Sequence, residues 1–219
     1  MASSADIAPD LVRDRARALE LVPVSRETTA KLDDFVSRLL KWQRTKNLIA
    51  PSTLGQLWTR HVADSLQLLQ FAPTARKWID LGSGGGFPGL VIASTFAERE
   101  GHTVDLIESN ARKAAFLRET ARQLQLPALV HPVRIEDFVS QYADSAEIVT
   151  ARALAPLIKL LGYVEPLLKK GAQALFPKGQ DVEAELTAAS KYWKIEAQLV
   201  SSLTDARSRI LVVKTAERR

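Results

Sequence analysis

The spacing of apolar side chains divides this chain into a helical first third and a longer region of alternating strands and helices. Up to about residue 75 the apolar positions recur with the period of an α-helix, most regularly at Leu32, Phe35, Val36, Leu39 and Leu40. Ser25 is suited to cap that helix. A second helix is predicted at about 54–70, after a connection at 47–53 that contains a proline. We therefore expect an N-terminal helical extension over residues 1–75.

From residue 76 onward the pattern changes to short β-type runs separated by helical stretches. The predicted strands lie at 78–81, 103–108, 128–133, 147–151, 172–177, 194–200 and 209–214, and the predicted helices at 88–96, 110–124, 155–168 and 181–192. Such alternation is typical of a mostly parallel sheet covered by helices on both faces. The final connection, roughly 201–208, is too short for a crossover helix, so the last two strands are predicted to pair antiparallel. The prediction is a Rossmann-like α/β domain over 76–219, packed with the extension as one unit.

Composition removes several classes of chemistry. The chain contains no cysteine, which excludes disulfides, thiolate metal sites and a cysteine nucleophile. Its three histidines are too scattered to predict a metal site. No apolar run approaches the roughly 18 residues that cross a bilayer, and the N-terminus lacks the apolar core of a secretory signal. The expectation is a cytoplasmic protein, without membrane or metal, that acts as a monomer.

The positive charge is concentrated in the N-terminal part. The net charge is +5, and residues 1–77 hold 12 Lys and Arg against 8 Asp and Glu, whereas the remainder holds 18 against 17. A solvated helix face would account for this distribution. The alternative is a surface that contacts phosphates.

A glycine-rich segment follows the first predicted strand directly. Five of the ten glycines lie within WIDLGSGGGFPGL, at positions 82–89. Glycines at this point allow the backbone to approach a ligand, and α/β sheets bind ligands beyond the carboxyl ends of their strands. The segment formally matches the dinucleotide pattern G-x-G-x-x-G, which is weak evidence alone. The pattern therefore predicts a ligand site without identifying the ligand.

Two carboxylates narrow the choice of ligand. Asp80 lies two residues before the first glycine, where a carboxylate would repel a pyrophosphate but attract the ammonium and sulfonium groups of S-adenosylmethionine. Glu108 closes the second strand and can accept hydrogen bonds from both hydroxyls of a ribose, as NAD sites also do. The combination favours an adenosine that carries a cationic tail.

Several separated motifs together resemble one known family. They are KWxxxKNL from Lys41, RHxxDSL from Arg60, DLGSGGGFPG from Asp80, TARA from Thr150, Lys178-Gly179 and the closing Arg209–Val213 strand. In this order they resemble the bacterial small-subunit rRNA guanine-N7 methyltransferases, also called RsmG or glucose-inhibited division protein B. The resemblance extends from about Lys41 to Lys214. The chain departs from the family's usual pattern at Ile49 and in the segment SNARK, which begins at Ser109.

The resemblance implies a class I S-adenosylmethionine-dependent methyltransferase fold and a set of cofactor contacts. Gly82, Gly84 and Phe87 would belong to the glycine loop, and Ile135 and Glu136 would lie beside the adenine. A further expected contact is Arg152, whose planar guanidinium suits the methionine carboxylate. It is also the nearest candidate for a catalytic role, because the sequence offers no evident general base.

The same resemblance implies that the substrate is 16S rRNA or a small-subunit ribonucleoprotein. The candidate RNA contacts are Lys41, Arg44, Lys46 and Arg60. Trp42 and Trp58 are aromatic enough to stack on a base, but their positions on apolar helix faces favour the core. His61 and Asp64, one helical turn apart, are close enough to form a local pair.

The chemistry is consistent with methylation at guanine N7. The lone pair of N7 is unprotonated at neutral pH, so proximity and orientation suffice, whereas carbon methylation of pyrimidines requires the missing cysteine. The Asn/Asp-Pro-Pro-aromatic motif of many amino-group methylases is also absent after the fourth strand. Three alternatives stay open: a methyltransferase for small molecules or proteins, a non-catalytic RNA-binding protein on the same fold, and an NAD oxidoreductase.

Overall fold

A computed structural model describes residues 9–142 and 146–219. The N-terminal extension begins with two α-helices, α1 (Pro9–Leu21) and α2 (Arg26–Gln43). The hydroxyl of Ser25 accepts a hydrogen bond from the backbone N–H of Thr28, which confirms the predicted cap. Leu32, Phe35 and Leu39 of α2 are fully buried, so the predicted apolar face is the face that packs against the rest of the protein.

The next helical segment is less regular than the helix predicted at 54–70. It consists of a 3-10 helix (Pro51–Gln56), a π-helix (Trp58–Ala63), the single α-turn α3 (Asp64–Leu66) and another 3-10 helix (Gln67–Phe71). Asp14 of α1 accepts hydrogen bonds from the backbone N–H groups of Trp58 and Thr59 and from the Thr59 hydroxyl. These bonds to α1 satisfy the first N–H groups of the π-helix. The local sequence does not reveal them, because Asp14 lies on another helix.

The remaining chain forms a seven-stranded sheet in the order β3-β2-β1-β4-β5-β7-β6. The strands are β1 (Lys77–Leu81), β2 (Thr103–Ile107), β3 (Ala128–His131), β4 (Ile148–Ala151), β5 (Gln173–Lys178), β6 (Trp193–Ser201) and β7 (Arg209–Arg218). Strands β1 to β5 pair in parallel. The predicted antiparallel pairing of the last two strands is confirmed, and β7 also pairs antiparallel with β5.

Helices connect the strands close to the predicted positions. They are α4 (Gly89–Phe96), α5 (Ala111–Gln123), α6 (Ile135–Tyr142), α7 (Leu157–Leu168) and α8 (Val182–Ala189). The prediction omitted α6 and extended the third strand to residue 133, because the ALVHPV run has the composition of one β segment. In the structure β3 ends at His131, directly before Pro132, which cannot donate to a strand ladder.

Two hydrophobic clusters cover the two faces of the sheet. One contains Trp78 and Leu106 of the sheet together with Phe35 and Leu57 of the extension. The other contains Ile79 and Val149 of the sheet together with residues of α7 and β7. Because the first cluster includes side chains from both parts of the chain, the extension packs directly on the sheet that carries the glycine loop. Within the described residues, no helix is long and apolar enough to cross a bilayer.

Candidate functional site

The glycine loop between β1 and α4 follows a path that side chains would block. Gly82 has a positive φ of +70°, and a Cβ there would lie 2.6 Å from Cδ1 of Leu154. A Cβ on Gly85 would lie 3.0 Å from the carbonyl oxygen of Leu48, so the turn after α2 rests on the loop. The loop therefore packs closely against both the N-terminal extension and the segment after β4.

The structure places Asp80 beneath this loop and does not bring it into the cavity above. Its side chain is buried, Oδ2 accepts from the backbone N–H of Gly89 at 3.0 Å, and Oδ1 accepts from the Thr150 hydroxyl at 3.0 Å. Burial raises the pKa of Asp80 to about 6, although these hydrogen bonds oppose the shift. Asp80 therefore stabilises the end of the loop through its hydrogen bond to Gly89.

Glu108 holds the other side of the loop. Its Oε2 accepts from the backbone N–H of Gly84 at 2.9 Å, and its Oε1 accepts from the backbone N–H of Asn110 at 2.8 Å. Asn110 in turn caps α5 through its side chain. An ionised carboxylate offers about four lone-pair sites, so Glu108 keeps acceptor capacity toward a ligand.

A cavity of about 650 Å³ lies above the loop, and it contains seven of the eight predicted cofactor residues. Those that line it are Gly82, Gly84, Phe87, Glu108, Ile135, Glu136 and Arg152. Ile135 and Glu136 are the first residues of α6, the helix that was not predicted from the sequence. The N-terminal extension contributes Leu48, Ile49, Ala50, Thr53 and His61 to the same lining. The extension therefore forms part of the cavity wall.

Arg152, directly after β4, is held on three sides and incompletely paired. Its Nη1 donates to the carbonyl of Arg60 at 3.3 Å, and its Nη2 donates to Nδ1 of His61 at 2.6 Å. The guanidinium carbon lies 5.4 Å from the ring centroid of Phe87. The Nε atom is buried and has no hydrogen-bond partner anywhere in residues 9–142 and 146–219. Such an orphaned donor is costly unless a ligand satisfies it.

His61 has a role at this site that was not predicted from the sequence. The predicted local pair between His61 and Asp64 does not form: His61 bonds to Arg152 and Thr53, whereas Asp64 accepts from Gln67 and Thr204. His61 lies on the π-helical turn, and its imidazole bonds to Arg152, which lies 91 positions further along the chain. The available signal was a histidine on the apolar side of a helical segment, but its partner could not be identified from local spacing.

A second cavity, of about 760 Å³, adjoins the first. The two share the wall formed by Thr53, His61, Arg152, Ala153 and Leu154. The second cavity is also lined by Asp64, Arg60, Lys178, Glu185 and Arg209, among others. The two cavities therefore have His61 and Arg152 in common.

Two acidic residues that line the second cavity, Glu185 and Asp64, differ in their hydrogen-bond partners. Lys178 pairs with Glu185 at 2.8 Å, and Glu185 also accepts from the backbone N–H of Leu157, so this pair fixes the start of α7. Asp64 uses Oδ1 to accept from Gln67 at 2.7 Å and from Thr204 at 3.0 Å. Its Oδ2 makes no hydrogen bond within the described parts of the chain. Asp64 thus retains one oxygen for a ligand.

Of the four predicted RNA contacts, Arg60 lines the second cavity, whereas Lys41, Arg44 and Lys46 belong to neither lining. Lys41 and Arg44 are exposed at the end of α2, Lys46 is half-buried in the following turn, and Arg60 is exposed on the π-helix. That turn is fixed by the Gln43 side chain, which bonds to the backbone of Leu48 and Ile49. The basic side chains therefore lie within a few residues of the cavity wall.

The two tryptophans belong to the packed interior, as their apolar positions indicated. Trp58 is 2% exposed and lies in the core. Trp42 is partly buried and packs on Phe116, with ring centroids 5.4 Å apart. Trp58 therefore presents no free face for stacking on a base. Among residues 9–142 and 146–219, no three His, Asp or Glu side chains lie together as metal ligands would.

The fold is similar to those of solved methyltransferases of low sequence identity. An O-methyltransferase from Bacillus cereus in complex with SAH superposes with a TM-score of 0.60 at 14% identity, covering 91% of this chain and 96% of that chain. A SAM-dependent methyltransferase from Aquifex aeolicus superposes with a TM-score of 0.56 at 15% identity, covering 81% of this chain and 96% of that chain. At these identities the likeness establishes the class I methyltransferase fold.

Sequence comparisons identify the family. The family model GidB, described as rRNA small subunit methyltransferase G, matches residues 28–212. A protein named Ribosomal RNA small subunit methyltransferase G from Bradyrhizobium sp. strain ORS 278 is 56% identical over 99% of this chain and 98% of its own length. A protein of the same name from Nitrobacter winogradskyi is 58% identical over 96% of this chain and 76% of its own length. The chain belongs to the GidB family of rRNA small subunit methyltransferases.

Proposed function

We propose that this protein transfers a methyl group from S-adenosylmethionine to N7 of a guanine in 16S rRNA. The observation that carries the proposal is Arg152, which lines the glycine-loop cavity and whose buried Nε has no hydrogen-bond partner in residues 9–142 and 146–219. A buried guanidinium with an unused donor suits a ligand carboxylate, and the methionine end of the cofactor carries one. The names of the relatives supply the substrate class.

The cavity residues fit the rest of this cofactor. Glu108 keeps acceptor capacity for the ribose hydroxyls, and Ile135 and Glu136 offer an apolar side chain and backbone groups beside the adenine. S-adenosylmethionine supplies an electrophilic methyl group on a sulfonium. Asp80 supports this site by holding the loop through Gly89, which replaces our expectation of a direct contact with the cofactor.

We assign the second cavity to the target guanine. The edge of guanine that carries N1–H and the exocyclic amine donates hydrogen bonds, and the free Oδ2 of Asp64 is an acceptor of the type that matches it. In that orientation N7, on the opposite edge of the base, makes no hydrogen bond to Asp64 and stays available to the methyl group of the cofactor. Neutral N7 needs no general base, so catalysis by this chain consists mainly of positioning.

Lys41, Arg44, Lys46 and Arg60 are proposed to contact the RNA backbone around the target base. Lys41, Arg44 and Arg60 are exposed, Arg60 lines the second cavity, and all four charges agree with the net positive charge of the extension. Contacts of this kind position the RNA and carry no sequence information themselves. We place the activity in the cytoplasm, on 16S rRNA or a small-subunit ribonucleoprotein, and assign it to a monomer.

The test is methyl transfer from radiolabelled S-adenosylmethionine to small subunits and to naked 16S rRNA from a strain that lacks the gene. We expect label in rRNA, at a single guanine that becomes sensitive to borohydride and aniline cleavage, the signature of N7 methylation. Label in small molecules or protein alone would support a different methyltransferase. Binding of rRNA without transfer and without cofactor binding would support a non-catalytic RNA-binding protein, and binding of NADH alone an oxidoreductase.

A further inference from the structure

His61 and Thr53 connect Arg152 to the backbone of the extension by a directed chain of hydrogen bonds. Arg152 Nη2 lies 2.6 Å from His61 Nδ1, His61 Nε2 lies 2.8 Å from Thr53 Oγ1, and Thr53 Oγ1 lies 2.8 Å from the carbonyl oxygen of Ala50. An arginine only donates and a carbonyl only accepts, so both ends of the chain are fixed. We infer that His61 Nδ1 accepts, that His61 Nε2–H donates to Thr53, and that the Thr53 hydroxyl donates to Ala50.

We propose that His61 is a positioning residue that aims Arg152 at the carboxylate of the methionine moiety. The hydrogen bonds to Arg60 and His61 use one N–H of each terminal nitrogen, and Nε–H is unused. Of the five N–H donors of the guanidinium, Nε–H and one N–H of each terminal nitrogen are therefore left, which is enough for a two-point contact with a carboxylate. The proposal rests on the function proposed above, because it concerns the orientation of a residue in that cofactor site.

Three features make His61 rigid enough for this task. Its side chain is 7% exposed, and its ring packs on Phe87 with centroids 5.0 Å apart, on the same ring that faces the Arg152 guanidinium. Burial and the nearby charges of Arg152 and Arg60 lower its pKa to about 3, so it is neutral and able to accept. The π-helix that carries it is fixed at its start by Asp14 of α1.

The consequence is that the N-terminal extension completes the cofactor site in addition to facing RNA. Thr53, His61 and Arg152 all lie in the wall between the two cavities. Any movement of the segment 50–61 would be transmitted to the guanidinium through bonds of 2.6–2.8 Å. No such link is visible from the order of the motifs along the chain.

The test compares two ligands that differ at the carboxylate end. S-adenosylhomocysteine carries the amino acid, whereas 5′-methylthioadenosine keeps the adenosine and the sulfur but lacks the carboxylate. Calorimetry is performed on the full chain and on His61→Phe, which keeps an aromatic ring for Phe87 but cannot accept from Arg152. We expect S-adenosylhomocysteine to bind about tenfold or more weakly and 5′-methylthioadenosine to bind within about twofold of the unchanged protein.

Conservative variants separate positioning from packing. In His61→Gln the amide oxygen can accept from Arg152 and the amide N–H can donate to Thr53, so most of the S-adenosylhomocysteine affinity should return. Thr53→Val should weaken the binding of S-adenosylhomocysteine by about threefold, and Thr53→Ser should not. This pair of variants tests the chain of hydrogen bonds even if His61→Phe fails to fold. The proposal would be overturned if His61→Phe lost affinity equally for both ligands or for neither. It would also be overturned if His61→Gln and His61→Phe bound S-adenosylhomocysteine equally well. If the unchanged protein binds no S-adenosylhomocysteine, the proposed function fails first.

Discussion

The backbone N–H of Gly89 donates to Oδ2 of Asp80 at 3.0 Å, which joins the start of α4 to the end of β1 beneath the glycine loop. A Cβ on Gly89 would lie 2.2 Å from Cδ2 of Leu106 and 2.7 Å from that same carboxylate oxygen. Position 89 therefore requires glycine, because there is no space for a Cβ between Leu106 and Asp80. The same close approach also explains why Asp80, although near the ligand cavity in sequence, serves the loop from below.

Replacement of Gly89 by alanine is expected to destabilise the fold. The added methyl group must displace Leu106 or break the bond to Asp80, and overpacking of this kind costs about 1–3 kcal/mol. Gly55→Ala is the matched control, because a Cβ there meets nothing within 4 Å. Urea unfolding should show a lower free energy of unfolding for Gly89→Ala only, and equal stability of the two variants would refute the packing argument.

The stability of the protein should depend on the titration of Asp80. Its pKa is raised from 3.8 to about 6 in the folded state. Because the folded protein holds this proton more tightly than the unfolded chain, the contribution of Asp80 is most favourable below about pH 4 and is lost as the pH rises through 6. Between pH 4 and pH 7 the stability advantage of the unchanged protein over Asp80→Asn should fall by at most about 3 kcal/mol, since one pKa unit is equivalent to about 1.4 kcal/mol. A difference in the free energy of unfolding between the two proteins that stays constant with pH would contradict the raised pKa of Asp80.

Replacement of Arg152 by lysine should weaken cofactor binding through the amino acid end alone. A lysine keeps the charge but cannot present two parallel N–H groups to a carboxylate. We expect at least about a tenfold rise in the Kd for S-adenosylhomocysteine and little change for 5′-methylthioadenosine. Arg122→Lys is a suitable control, because Arg122 is exposed and pairs with Glu119 outside either cavity lining. A similar rise in Kd for both ligands would contradict the assignment of Arg152 to the carboxylate.

Removal of the basic side chains at the end of α2 should weaken RNA binding without affecting cofactor binding. In the double variant Lys41→Ala and Arg44→Ala, the loss of each phosphate contact should lower the salt dependence of RNA binding by about one unit of slope. The exposed pair Lys191 and Lys194, before and within β6, provides a control of equal charge. If both double variants lower RNA affinity equally, the effect is one of net charge and the end of α2 is not part of the RNA surface.

Asp64→Asn should impair methyl transfer more than cofactor binding. The amide keeps an oxygen for Gln67 and Thr204, but it places a donor where the proposed contact to guanine needs an acceptor. We expect a lower kcat/KM on rRNA by about tenfold or more, with the Kd for S-adenosylhomocysteine nearly unchanged. Parallel calorimetry and methyl-transfer assays measure both quantities, and equal losses in the two would place Asp64 in the cofactor site instead.

The sequence predicted those parts of the site that depend on neighbours along the chain. The glycine loop follows its strand, Glu108 follows the next one, and Arg152 follows the fourth, so the parallel sheet brings them to a single edge. It did not predict the orientation of Asp80, because the direction of a buried side chain is set by Gly89 and Thr150, which lie on other elements.

The partner of His61 was missed for a similar reason. A regular helix over 54–70 places His61 and Asp64 on one face, and this spacing predicts a pair. In the structure residues 58–63 form a π-helix whose first N–H groups bond to Asp14 of α1, and His61 bonds to Arg152 from the segment after β4. The helix α6 escaped prediction because it is short and starts shortly after a β-type run, although Ile135, Phe138, Val139 and Tyr142 have helical spacing.

The decisive measurement is a crystal structure of the protein with S-adenosylhomocysteine. We expect the ribose beside Glu108, the adenine beside Ile135 and Glu136, and the carboxylate within hydrogen-bonding distance of the Arg152 guanidinium. A ligand bound at another place, or one whose carboxylate faces away from Arg152 while its adenosine occupies the cavity, would contradict this expectation.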